Sequence, residues 1–323
     1  MRLLLVKTSS MGDLVHNMPM IADIRHRFPD AIMDWVAEES FVEIARMNTE
    51  VARIIPVNMR RWKRNLGSCL SWREFSAFRR ELKSEHYDAA LDTQGLFKSA
   101  LICRWSRSPS HGQNNQTARE AVAGWLYTHP HDIPRNLHAA TRNRLLAARA
   151  LGYELPDTPP RYDLQLPPAA LPFTPSAPYA VILHGTARAA KLWPVEHWIA
   201  FCRELAQTHP TIFLPWGNDE ERARAEKIAA AAPGCQTLPR MTLTQLAHLL
   251  QGAGIVVGLD TGLMHLAVGL GKPTLAIFCD TDIWQAGTCP PAGARALTVG
   301  GKGVVPAVSE AVASLHQVLA PMG

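Results

Sequence analysis

The stretch "VVGLDTGLMHLAVGLGKPTLAIF", residues 256–278, decides the fold. A run rich in β-branched residues ends at Asp260, Thr261 and Gly262 open a segment of helical period, and a second apolar run follows Pro273. Unbroken apolar runs read as strands buried on both faces, and a helix between two of them is the crossover of a parallel sheet. Open parallel sheets bind ligands beyond the carboxyl ends of their strands, where the next helix presents unpaired amides. Asp260, Thr261 and Gly262 therefore mark a candidate anion site, with His265 about one helical turn further on. Alone, His265 reads as a packed helix histidine.

The same alternation extends in both directions. The second half offers strands "YAVILHG", "TIFLPW", "GIVVGL", "PTLAIF" and "ALTV", and the first half "LLLVK", "IMDWVA", "RIIPV" and "AALDT", with helical segments such as "WREFSAFRRELKS" between them. Between the halves, residues 155–178 hold eight of the 24 prolines, a density that excludes regular helix and suits an extended connector. The expected class is α/β, with two Rossmann-like domains at 1–165 and 166–323.

Length agrees, since 323 residues suffice for two domains of roughly 150 each. A composition of 47% hydrophobic and 19% charged residues is that of a globular protein, and no apolar stretch approaches the about 20 residues that span a bilayer. With no signal-peptide pattern at residues 1–20, a cytoplasmic location is expected. Six cysteines without CxxC spacing read as reduced and mostly buried, forming neither a zinc site nor a disulfide frame. Charge is lopsided: residues 1–165 carry 23 Lys plus Arg against 18 Asp plus Glu, and residues 166–323 carry 10 against 10. The first domain is thus expected to meet something anionic. Nucleic acid is disfavoured, because Trp62 is the only ring within the basic run "MRRWKRN".

Four further segments carry candidate chemistry. In "VKTSSMGDLV", residues 6–15, a strand ends and Asp13 stands at a helix start; an isolated acid there reads as a helix cap. The lack of GxGxxG removes a dinucleotide site from this loop. "HGTARAAKLWP" brings Thr186 and Lys191 to a strand end, where a hydroxyl and a lysine suit a phosphate, with Pro194 expected in the first turn of the next helix. The carboxylates of "CDTD", Asp280 and Asp282, read as cap and turn residues, and no metal is expected. "MRRWKRN", expected as a loop after the third strand, supplies Arg60, Arg61, Lys63 and Arg64, with Arg119 further on; arginine forks suit carboxylates and phosphates.

Taken in order, "VKTSSMGD", "IPVNMRRW", "DTQGLFKSA", "QTARE", "KLWPVEHW", "LPWG", "LPRMTL" and "DTGLMHL" resemble the lipopolysaccharide core heptosyltransferases, glycosyltransferase family 9, over nearly the whole chain. The resemblance implies a GT-B fold, two Rossmann-like domains facing across a cleft, with the carboxyl-terminal helix "PAVSEAVASLHQVLA" returning to the first domain. It implies inverting, metal-independent and cofactor-free transfer of L-glycero-D-manno-heptose from ADP-heptose to the Kdo of Kdo-lipid A. Such an enzyme would work as a peripheral protein on the cytoplasmic face of the inner membrane. By the same resemblance Asp13 is the base and Lys191 supports the leaving group. The donor would be held by Thr186, Lys191, Glu221, Met241, Asp260, Thr261, Gly262 and His265. Ser10, Arg60, Arg61, Lys63, Arg64 and Arg119 would receive the acceptor. Glu220 and Glu221 both remain open for the ribose. The rival readings are a relative that adds to a heptose acceptor, and a nucleotide-sugar or lipid-binding protein without turnover. A protein that only binds anions has no use for the Asp13 carboxylate.

Overall fold

The computed structural model describes residues 1–65, 67–176 and 178–320; Ala177, inside the proline-rich connector, lies outside the described residues. The chain forms two compact units, Met1–Gln165 and Leu166–Gly323. In the first, six parallel strands, β1 (Arg2–Val6), β2 (Ile32–Glu38), β3 (Arg53–Val57), β4 (Ala89–Asp92), β5 (Ser110–Gln113) and β6 (His129–His131), are ordered β3-β2-β1-β4-β5-β6. In the second, β7 (Tyr179–Leu183), β8 (Thr211–Leu214), β9 (Cys235–Thr237), β10 (Ile255–Leu259), β11 (Thr274–Phe278) and β12 (Ala296–Gly300) are ordered β12-β11-β10-β7-β8-β9. Numbered within its own unit, each sheet has the order 3-2-1-4-5-6. Chain direction across the sheet therefore reverses between β1 and β4 in one unit and between β7 and β10 in the other, the positions where such sheets open a crevice.

The central strands are the ones the apolar runs identify. Every residue of β7, β10 and β11 is buried, as are four of the five in β1. Pairing is in register through Leu5↔Leu91 and Val257↔Ile182. Trp193, Trp198 and Phe201 fill the space between the second sheet and the Val195–Leu205 helix, with the two indoles edge to face at 4.9 Å. At the amino ends of the first sheet, buried Asp34 accepts from Arg2 at 3.2 Å, Arg53 at 2.9 Å and the Tyr87 hydroxyl at 2.8 Å. A buried carboxylate is tolerable only when paired in this way.

Several expectations need correcting. β5, β6 and β9 escape a reading based on apolar runs because "SHGQ", though mostly buried, is polar, and "HPH" and "CQT" are partly solvated strands at the sheet edges. "MRRWKR" is a helix, Met59–Arg64, pinned by its buried Trp62, which donates to Glu74 at 2.9 Å and meets Phe75 edge-on at 5.5 Å. The helical segment after Asp13 is two helices, Met11–Val15 and Met18–Arg27, because Pro19 starts a new first turn. Pro194 is the N-cap of the Val195–Leu205 helix and not part of its first turn. The carboxyl-terminal helix Val308–Leu319 is present as expected and buries Ala311, Leu315 and Val318 in the core of the second unit. The connector is strapped down on both sides of residue 166: Gln165 N–H donates to Met47 O at 2.7 Å in the first unit, and Gln245 Nε2 donates to Ala170 O at 3.0 Å in the second.

Candidate functional site: two switch points

In the first unit, the carboxyl ends of β1 and β4 carry Thr8–Ser10 and Thr93–Gly95. Buried Asp92 accepts from the Gln94 and Gly95 amides at 2.8 and 3.2 Å and from the Tyr127 hydroxyl at 2.7 Å, which fixes the loop after β4. Burial pushes the Asp92 carboxyl up against these bonds. From that loop the Gln94 side-chain oxygen Oε1 accepts from the Thr8 and Ser9 amides at 3.1 and 3.2 Å. Lys7, buried at the end of β1, donates to Thr93 O at 2.8 Å; burial lowers its pKa, while Asp13 and Asp92 pull the other way. The Lys7 and Gln94 side chains thus tie the start of the "TSSMGD" loop to the loop after β4.

Asp13 lies half-buried at the third position of the Met11–Val15 helix, with Ser10 as N-cap. The Ser10 amide and hydroxyl both donate to Asp13 Oδ2, at 2.7 and 3.0 Å. The cap reading is therefore correct as structure, yet it uses one oxygen only. Oδ1 receives no hydrogen bond among the described residues, so the cap does not use up the carboxylate's capacity to accept.

The basic cluster divides. Arg61 is committed: its guanidinium reaches Glu39 at 3.1 Å and Glu74 at 2.8 Å, bracing the Met59–Arg64 helix. Arg60, Lys63, Arg64 and Arg119 are exposed and have no ion pair among the described residues. The Arg60 amide donates to Glu38 at 3.4 Å, and burial raises the Glu38 carboxyl against the pull of Arg60 and Lys98.

In the second unit, β10 delivers Asp260 to its carboxyl end. Thr261 caps the Gly262–Gly269 helix, its hydroxyl accepting from the Met264 amide at 3.5 Å. Asp260 Oδ2 accepts from Lys191 and, at 2.7 Å, from Thr281; Oδ1 lies 3.2 Å from His265 Nε2. Burial alone would raise this carboxyl, but His265, Lys191 and Thr281 outweigh it and hold Asp260 well below the usual carboxylate range. Thr281 is a member of the cluster that sequence reasoning missed. It sits between the two acids of "CDTD", and those acids drew attention to a metal instead. Asp282 occupies the N-cap position of the Ile283–Ala286 helix without a side-chain cap bond and pairs with Lys302 at 3.5 Å.

Across the switch point, β7 ends in His184, Gly185 and Thr186. Half-buried Glu221 accepts from the Gly217 amide at 2.7 Å and packs on Gly185, where an added Cβ would lie 2.5 Å from its Cδ. Glu220 is exposed. Glu221, and not Glu220, is therefore the acid built into the Gly185 loop. Buried His184 is held neutral, its pKa driven down to about 4 by desolvation and by Arg224. Met241 is half-buried ahead of the Leu243–Gly252 helix, in the loop after β9.

Comparison with known proteins follows this geometry. Residues 75–305 match the model of glycosyltransferase family 9 (heptosyltransferase). Lipopolysaccharide heptosyltransferase 1 of Escherichia coli K12 is 42% identical over 284 residues, covering 87% of this chain and 89% of that protein. The solved E. coli heptosyltransferase WaaC with ADP superposes at a TM-score of 0.86 with 37% identity, covering 98% of this chain and 99% of that one. The same enzyme with ADP-2-deoxy-2-fluoro heptose gives 0.83 and 38% over the same shares. Likeness of this extent, spanning both sheets and both switch points, means that the chain belongs to glycosyltransferase family 9, the heptosyltransferases.

Proposed function

We propose that this enzyme transfers L-glycero-D-manno-heptose from ADP-heptose to the Kdo of Kdo-lipid A, with inversion and without a metal, at the cytoplasmic face of the inner membrane. The observation that carries the donor is the Asp260 cluster at the start of the Gly262–Gly269 helix, in a chain 38% identical to a heptosyltransferase solved with ADP-2-deoxy-2-fluoro heptose. Helix-start amides and Lys191 suit a diphosphate, and Asp260 suits sugar hydroxyls. Glu221 and Met241 are the candidates for the ribose and adenine.

In this reading a Kdo hydroxyl oxygen forms a bond to the anomeric carbon of the heptose. The bond from that carbon to the diphosphate oxygen breaks, and ADP leaves with the electron pair. The hydroxyl proton passes to Asp13, whose Oδ1 is unoccupied by the cap. Charge growing on the diphosphate meets Lys191, Thr186 and the Thr261 and Gly262 amides, fixed donors that need little rearrangement. Arg60, Lys63, Arg64 and Arg119, with Ser10, receive the carboxylate and phosphates of the acceptor, while Arg61 braces the helix that carries them. Membrane association is peripheral in this proposal, in keeping with the finding that no helix among the described residues is long and apolar enough to cross a membrane.

The test is mass spectrometry of Kdo-lipid A incubated with ADP-heptose and the protein. Gain of one heptose on Kdo is the expected result. No transfer to Kdo-lipid A, with transfer to an acceptor already carrying heptose, would overturn the assignment of acceptor.

A further inference from the structure

The first unit exposes seven large apolar side chains among its described residues, and five of them gather at the carboxyl-end rim of its sheet. Leu70 and Trp72 stand in the first turn of the Cys69–Leu82 helix, Phe97 opens the Phe97–Ser106 helix, and Val122 lies within the Ala121–Gly124 helix, with Trp125 as its C-cap. The Phe97 amide donates to Glu120 at 2.6 Å and the Glu120 amide to Gly95 O at 3.0 Å, which brings the last two segments together. These five are between 44% and 74% exposed. Single exposed apolar residues are ordinary; three large rings along one rim are not.

The rim is also rigid and basic. Trp72 meets Phe75 edge-on at 6.2 Å, and Phe75 meets Trp105 at 5.2 Å, so the exposed ring stands on a packed aromatic base. Residues 59–73 hold five Lys plus Arg and no acid. Arg60, Lys63, Arg64 and Arg73 are exposed without an ion pair among the described residues. The exposed large apolar side chains of the second unit, Ile283, Trp284, Val304 and Val305, have one cation beside them in the chain, Lys302, and it is paired with Asp282 at 3.5 Å.

We infer that this rim docks on the surface of an anionic bilayer, with Trp72 and Trp125 in the interfacial layer and the cations against lipid phosphates. Indole rings favour the membrane interface, and basic residues are drawn to negative headgroups; each effect is weak alone and together they give reversible binding. The inference rests on the transferase reading in one respect, that the acceptor is a bilayer lipid.

The experiment is co-sedimentation of the full chain with phosphatidylglycerol vesicles and, separately, phosphatidylcholine vesicles. In parallel, turnover is measured on a soluble, deacylated Kdo acceptor. The wild type should bind phosphatidylglycerol in preference, and Trp72→Ser with Trp125→Ser should lower that partition by about tenfold. Turnover on the soluble acceptor should stay at the wild-type level, which also certifies the fold. The single variants Trp72→Ser and Trp125→Ser should each lower partition with turnover intact. Wild-type partition in both singles, or equal binding of the wild type to the two lipids, overturns the inference. Absence of turnover on the soluble acceptor in the wild type would count against the transferase reading and leave the vesicle result standing by itself.

Discussion

Asp13 and Asp260 both stand beyond the carboxyl end of a strand that flanks a switch point, Asp13 at the third position of the helix after β1 and Asp260 between β10 and its helix, yet their surroundings differ in kind. Asp260 is gripped by Lys191, Thr281 and His265 and held ionised far below the ordinary carboxylate range. A carboxylate so stabilised is a poor proton acceptor, because every donor that favours the charged form lowers its basicity. Asp13 has its hydrogen bonds on one oxygen, both from Ser10. In the proposed reading, the contrast suits Asp260 to anchor the donor and Asp13 to take the proton.

The largest expected effect tests that division. Asp13→Ala should cut turnover by about 10² or more while ADP affinity, measured by calorimetry, is unchanged. Asp13→Asn sharpens the point. An amide oxygen can still accept from Ser10 and keep the cap, but it cannot take the proton, so Asn should be as inactive as Ala. An active Asn variant would return Asp13 to a purely structural part.

Lys191→Ala comes next, with turnover expected to fall by roughly 10² and ADP affinity to fall as well, since a fixed cation at the diphosphate acts on ground and transition states alike. Loss of turnover with ADP affinity intact would break the comparison by moving Lys191 out of the donor site. Gln94→Ala should be milder, lowering kcat by about threefold to tenfold with donor affinity unchanged, because it removes the bonds to the Thr8 and Ser9 amides that hold the Asp13 loop. A rise in KM for ADP-heptose instead would show that Gln94 does not act through that loop.

Legibility followed burial. The strands that form both switch points were readable because central strands of a parallel sheet are buried on both faces, and the same runs delivered Asp260, Thr261 and Thr186 to strand ends. The buried but polar β5 and the edge strands β6 and β9 carry no such signal, and the helix at Met59–Arg64 reads as a loop because its only buried side chain is Trp62. Thr281 and Gln94 were illegible for a different reason. Each acts through one long-range hydrogen bond acceptor or donor, and nothing local distinguishes such a threonine or glutamine from a solvated one. Arg61 shows a limit of the opposite kind: a residue type suited to anions is paired with two acids of its own unit, and nothing local announces those partners.

Asp260→Asn tests the anchor through stability. Removing the charge leaves Lys191 and His265 without their partner, at a cost of about 1–3 kcal/mol. The folded-state pKa of Asp260 is depressed, so its contribution is fully present above the unfolded value of 3.8 and is lost as pH falls through the lower folded value. The gap in Tm between wild type and variant should therefore be constant from about pH 5 to about pH 8 and narrow in stronger acid. A gap that closed near neutral pH would mean that Asp260 is not held ionised by its neighbours.

The smallest expected effect is none: turnover should be unchanged in excess EDTA. A metal in this chemistry would neutralise the leaving diphosphate. In the proposed reading that demand falls to Lys191 and the amides at the start of the Gly262–Gly269 helix, which lie at the same strand end as Asp260. The acids that could hold an ion, Asp280 and Asp282, lack a third ligand: among the described residues no group of three His, Cys, Asp or Glu is arranged to bind a metal. Asp282 is moreover paired with Lys302 at 3.5 Å. Loss of turnover in EDTA, restored by magnesium or manganese and abolished again in Asp280→Ala, would make "CDTD" a metal site. It would also recast Thr281 as the residue that links that site to Asp260.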